Sequence, residues 1–174
     1  MSNGTSHRKR FFWAAVAVPV LVSVFLAAWR FIPATKQPGL VSAEDHIKFV
    51  QKHTGAVLEP LDRNGREWRS DPAGGLGYSL RLYRDGTYEI GVSIDASACG
   101  DLLPVKRLVN GYIGEKAADG VMAAVADRLA LAAQRKIEPR ESRFCGAGDR
   151  RATVASNSRP DGRIVISVIL WRQA

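Results

Sequence analysis

Apolar residues repeat along this chain in three ways, and each predicts a different element. From Phe11 to Ala28 they run on for 18 residues without a charge. Wound as a helix, such a run rises about 27 Å, close to the thickness of a bilayer's hydrocarbon core. Further along, apolar and polar positions alternate at Tyr78-Leu80-Leu82 and at Tyr88-Ile90-Val92-Ile94. That period of two marks strands with one buried face. Between Lys116 and Lys136 the spacing becomes three and four. Ala118, Val121, Met122, Val125, Leu129, Ala132 and Ala133 then share one face of a long helix, with Lys116, Asp119, Asp127 and Gln134 opposite.

Turn chemistry joins the strands. A three-residue loop Arg84-Asp85-Gly86, with Gly86 left-handed, sets Leu82 opposite Tyr88, Leu80 opposite Ile90 and Arg81 opposite Glu89. A two-residue Asp85-Gly86 turn would put Leu82 against Glu89 and mix the faces. Near the C-terminus, Pro160-Asp161-Gly162 reads as a type I turn followed by a left-handed glycine, placing Val154 opposite Val168 and Ala152 opposite Leu170. The last strand, Arg163 to Arg172, is apolar on both faces and is expected in the middle of a sheet or covered on both sides.

Ser42 is placed to cap a helix over Ala43 to His53, with Glu44 and Asp45 in its first turn and Gly55 closing it. Ala56-Val57-Leu58 reads as a short strand and Asp62 to Gly77 as a long loop. Leu102 to Val109 suits either a short helix or irregular chain, because Gly111 and Gly114 follow. The expectation is an α+β domain: two hairpins forming a four-stranded antiparallel sheet, packed with about two helices.

The apolar run decides the expected location. Arg8, Lys9 and Arg10 precede it with no acidic residue before them, and Trp13 and Trp29 stand near its ends. This is the pattern of a single-pass signal-anchor with its N-terminus in the cytoplasm. A cleaved signal is the competing reading, but the run is longer than a usual h-region, and the candidate cut sites Leu26-Ala27-Ala28 and Ile32-Pro33-Ala34 carry bulky residues. The chain therefore divides into a basic cytoplasmic N-terminus (1–10), a transmembrane helix (11–29), a Pro/Gly-containing linker (30–41) and an external, periplasmic domain (42–174).

Half of the formal charge of +8 belongs to Arg8, Lys9, Arg10 and Arg30, so the external domain is only mildly basic. Nucleic acid is accordingly not the expected partner. Cys99 and Cys145 both fall in the external part. In an oxidising compartment they are expected to form a structural disulfide, worth about 4 kcal/mol by the chain-entropy relation.

Signals for chemistry are weak. His46 and His53 share a helix face but lack the further ligands a metal needs, and no cofactor motif is present. Gly74-Gly75-Leu76-Gly77 precedes a strand instead of opening a helix, which is the wrong context for a phosphate loop. Glu59, Asp62, Glu67 and Asp71 are the ordinary content of a polar loop. Trp68, between Arg66 and Arg69, is a candidate partner contact. The resulting expectation is a non-enzymatic subunit or accessory factor of a cell-envelope assembly of secretion, pilus or division type, whose partners are other envelope or membrane proteins. An immunity-type periplasmic binding protein and an envelope enzyme acting on cell-wall or lipid-linked substrates are the alternatives.

Overall fold

The structure, a computed structural model, describes residues 39–173. The predicted cytoplasmic segment and membrane helix, and most of the linker, lie outside those residues. Among the described residues no helix is long and apolar enough to cross a membrane.

The elements follow in the order α1 (Ala43–Thr54), β1 (Glu59–Pro60), β2 (Glu67–Arg69), β3 (Leu76–Leu82), β4 (Tyr88–Asp95), α2 (Leu103–Ile113), α3 (Glu115–Ala133), β5 (Ser142–Cys145), β6 (Arg150–Ser158) and β7 (Ile164–Arg172). The strands form one antiparallel sheet in the order β1-β2-β3-β4-β7-β6-β5. This corrects the four-stranded expectation to seven strands, and the two helices to three. The two hairpins are present and make the centre of the sheet. The short strands β1, β2 and β5 extend it on both sides, and the ambiguous stretch after Leu102 is α2.

Within the hairpins the predicted registers hold. Leu82 pairs with Tyr88, Leu80 with Ile90 and Arg81 with Glu89. Ala152 pairs with Leu170 and Val154 with Val168. Gly86 and Gly162 take φ of 83° and 79°, the left-handed geometry both turns need. β7 pairs with β4 on one side and β6 on the other, as its two apolar faces require.

All three helices cover one face of this sheet. Phe49 and Val50 of α1, Val105, Leu108 and Tyr112 of α2, and Val121 and Val125 of α3 form one core with Leu80, Ile90, Val92, Ile166, Val168 and Leu170. Each such side chain contributes about 1.5–3 kcal/mol by leaving water. Ser42 and Asp45 close a full capping box on α1, and Gly55 ends it at φ 76°. Gly111 lets α1 approach α2 closely. A Cβ there would lie 2.7 Å from the His53 ring.

The disulfide does not form in this fold. Cys99 and Cys145 are free thiols. Two antiparallel steps, β4 to β7 and β7 to β6, leave β4 and β6 running parallel. Cys99 follows the end of β4, whereas Cys145 pairs with Arg151 near the start of β6, so they occupy opposite ends of the sheet. They are also three strand spacings apart, roughly 14 Å, where a bridge needs Cα atoms within about 7 Å.

Candidate functional site

The side of the sheet away from the helices is the first candidate surface. Strand alternation places Glu89, Gly91, Ser93 and Asp95 of β4 there, opposite Trp171, Ile169, Ser167 and Val165 of β7. β6 adds Arg151, Thr153 and Ala155, and β3 adds Gly77, Ser79 and Arg81. None of these residues belongs to the core beneath the helices. The floor over β3 and β4 is shallow because its residues are small and already touch. A Cβ on Gly91 would lie 2.5 Å from Ser79 Oγ, and one on Gly77 would lie 2.7 Å from Ser93 Oγ. Beside this floor stand the partly buried Ile169 and Trp171, with Trp171 Nε1 3.5 Å from Thr153 Oγ1.

Charge on this face is unevenly compensated. Glu67 Oε1 accepts from both Arg69 Nη2 (2.9 Å) and Arg81 Nη2 (3.2 Å), one carboxylate serving two guanidiniums. Those hydrogen bonds hold the Glu67 carboxyl below its ordinary pKa, with Arg69 the larger contributor. Arg151 donates to Gln173 Oε1, Gly148 O and Arg150 O, none of them a carboxylate. The face thus presents tryptophan and arginine beside small residues, the composition that carries binding energy in protein interfaces.

A second candidate is a cleft of about 410 Å³ reached from the β3–β4 turn, lined among others by His46, Tyr88, Tyr112, Asp149, Arg150 and Arg172. Arg150 is buried at the start of β6. Its Nη1 donates to the Tyr112 carbonyl at 2.9 Å, and its guanidinium carbon lies 5.0 Å from the centre of the Tyr112 ring. Asp149 pairs with Arg172. His46 stacks on Tyr88, ring centroids 4.4 Å apart, and its Nδ1 lies 2.7 Å from the Ser42 carbonyl. The cleft is cationic in its depth and builds no nucleophile–base pair from these residues. Comparison with known proteins finds no family model, curated protein or solved structure that matches this chain.

The residues singled out from the sequence do not converge. Trp68 pairs with Leu80 and packs against the core, whereas Arg69 alternates to the open face and Arg66 is exposed in the preceding turn. The three therefore form no common contact surface. His53 packs on Phe49, away from the His46–Tyr88 stack. Among the described residues no group of three His, Cys, Asp or Glu side chains is placed to hold a metal. Asp62 accepts from the Arg66 and Glu67 amides and shapes the turn before β2. Arg150, Tyr112 and Trp171 escaped the sequence reading because each sits on a different element. Only the tertiary fold makes neighbours of the first two.

Burial, with the Arg150 charge acting in the same sense, holds the His46 pKa below its ordinary 6.5, while the Ser42 carbonyl and Asp45 oppose the shift. His53 is shifted in the same direction, chiefly by burial. Well above pH 6.5 both histidines are neutral in the folded and unfolded chain, so they contribute no slope. As pH falls below 6.5, the unfolded chain takes up protons that the native rings refuse, and stability is lost until the native pKa values are reached. Carboxylates such as Asp95 and Asp149, held low by Ser97 and Arg172 respectively, titrate below about pH 4 and lie outside this window. The urea midpoint is expected to fall between pH 7 and 5, and the fall to flatten in a His46→Gln/His53→Gln variant. An unchanged slope in that variant would remove the histidines as its cause.

Proposed function

We propose that this chain is a membrane-anchored interaction domain on the periplasmic side of the inner membrane, a non-enzymatic subunit or accessory factor of a cell-envelope assembly. One observation carries the reading: among the described residues no helix covers one face of the sheet, which bears Trp171, Ile169 and Arg151 over a floor of glycine and serine. An antiparallel sheet tolerates one solvated face, but that face is then usually polar throughout. Here β7, beside the central strand β4, carries Val165, Ile169 and Trp171 on that side as well. The partner this face fits is a folded protein with carboxylates opposite Arg151 and Arg81 and an apolar centre over Trp171. The basic segment and uncharged apolar run at the N-terminus support the anchored topology.

The test is site-specific photo-cross-linking in native membranes. A cross-linker at Ser167 or Ala155, on the open face, is expected to yield one discrete adduct with an envelope protein. The same group at Ala126, on the exposed side of α3, is expected to yield none. Trp171→Ala and Arg151→Glu should each weaken the captured complex by about 30-fold, the effect of losing an interface hot spot. Adducts from Ala126 but not from Ser167 would reject the face, and no adduct from any position would reject the reading.

A further inference from the structure

The cleft of about 410 Å³ beside the β3–β4 turn holds two polar groups that the fold buries and does not satisfy. Tyr112 is 3% exposed, and its hydroxyl makes no hydrogen bond among the described residues, yet that oxygen keeps accessible surface. Burial raises the hydroxyl's pKa; the Arg150 charge opposes the rise, Asp149 adds to it and Arg172 opposes it again. Those three residues all line the cleft, so the phenol end of Tyr112 faces into it. His46 is 4% exposed and lines the same cleft. Its Nδ1 lies 2.7 Å from the Ser42 carbonyl, which can only accept, so this nitrogen carries the hydrogen of the neutral ring. Nε2 is then a bare lone pair with no hydrogen bond among the described residues. Buried polar groups of native folds are almost always satisfied, and two orphans in one cleft ask for a ligand.

The surrounding charges select its class. Both carboxylates of the cleft are engaged, Asp149 by Arg172, and Asp85 by the Thr87 amide and hydroxyl at 2.9 and 2.7 Å. Arg150, 7% exposed, sets a guanidinium in the depth over the Tyr112 ring, and Arg172 brings another to the mouth. Two guanidiniums and the phenols of Tyr88 and Tyr112 make a lining rich in donors. The titratable and charged groups around His46 are Asp45 on α1, Tyr88 on β4, Tyr112 on α2 and Arg150 on β6, with Asp85, Asp149 and Arg172 further along the cleft. Asp45 is committed to the capping box of its own helix.

We propose that this cleft binds an oxyanion, the carboxylate or phosphate of a ligand about the size of an acidic monosaccharide, between Arg150, Tyr112 and His46. The volume suits such a ligand. An anionic oxygen at Nε2 would face its lone pair, so binding draws a proton onto that nitrogen, which then donates to the ligand. Lying between them, the anion also offsets the repulsion from Arg150 that disfavours a charged His46 in the free protein. A carboxylate ligand therefore binds more tightly as pH falls toward the pKa of the free ring, by up to about tenfold per pH unit, and levels off below it. This site goes beyond the proposed interaction function and does not depend on the open face of the sheet.

The test titrates the full-length chain, in neutral detergent and a buffer free of oxyanions, with glucuronate, glucose 6-phosphate, glucose and glucosamine. Amide and imidazole NMR signals report binding. Glucuronate, glucose 6-phosphate or both are expected to shift Val41, Thr87, Tyr88 and Asp149 saturably, and the neutral and cationic sugars are not. Which acid binds names the source of the oxyanion. If glucuronate binds, its complex should show a raised His46 pKa and an affinity that grows between pH 7.5 and 5.5; if only the phosphate binds, the His46 pKa is read in that complex. Tyr112→Phe removes only the orphan hydroxyl, so it should keep the fold and weaken binding about fivefold. His46→Gln should bind without the pH dependence that His46 confers. Equal shifts with glucose, no saturable shift with either acid, undiminished binding to Tyr112→Phe, or an unmoved His46 pKa would each overturn the proposal.

Discussion

Gly75→Ala is expected to destabilise the domain by about 2–5 kcal/mol, while Gly74→Ala costs about 1–2 kcal/mol. The two neighbours differ in one respect. Both have positive φ, 57° at Gly74 and 77° at Gly75, so both impose the left-handed penalty on a side chain. Around Gly74 there is open space. At Gly75 a Cβ would lie 2.6 Å from the carbonyl carbon and oxygen of Ala98 and 2.8 Å from the Cys99 nitrogen. Those are backbone atoms, and no rotamer change clears them. Gly75 cannot retreat either, since its carbonyl accepts from the Asp95 amide at 2.8 Å and holds the start of β3 in register with the end of β4. Urea denaturation of both variants checks this. Equal losses at the two positions would mean that the turn after β4 yields freely.

Arg128→Ala is expected to cost about 3 kcal/mol, with Arg128→Met recovering part of it. Arg128 is 4% exposed on α3, and its guanidinium donates to Ala124 O, Arg140 O and Ser142 Oγ. It clamps the connection that leads from α3 into β5. Alanine would leave a carbonyl and a hydroxyl unpaired and open a void beside Ser142, whereas methionine fills the void and supplies no donors. Hydrogen exchange locates the effect: protection of Ser142–Cys145 should fall before that of β7. Uniform loss across the sheet would show that Arg128 supports the whole core instead of its edge.

How far the sequence could be read follows from how each element is stabilised. β3, β4, β6 and β7 bury alternate side chains over seven to nine residues, and so wrote their period and register into the chain. β1, β2 and β5 are two to four residues long, too short for a period, and exist because a longer neighbour offers a free edge. Arg128 sits at helical spacing from Val121 and Val125, so position marked it as buried while its charge argued the reverse. The Gly-rich stretch before β3 was legible as a loop, but its need for glycine was not. The reason for that need, a backbone crossing over Gly75, is a long-range contact that local pattern does not encode. The cysteines misled for a related cause, since their fate depended on strand direction across three neighbours. The candidate surfaces were the least legible part, because Trp171, Arg151 and Arg81 come from three strands.

β7 comes last among the described strands and yet joins the sheet's two halves. During synthesis the β3–β4 and β5–β6 portions emerge first, and neither can dock on the other until residues 164–172 follow. Pairings such as Ile90 with Leu170 close a loop of most of the domain, the high-contact-order arrangement that folds slowly. The domain stays open and threadable until its final residues arrive, and a transcript truncated before β7 yields two exposed strand edges with nothing to seal them.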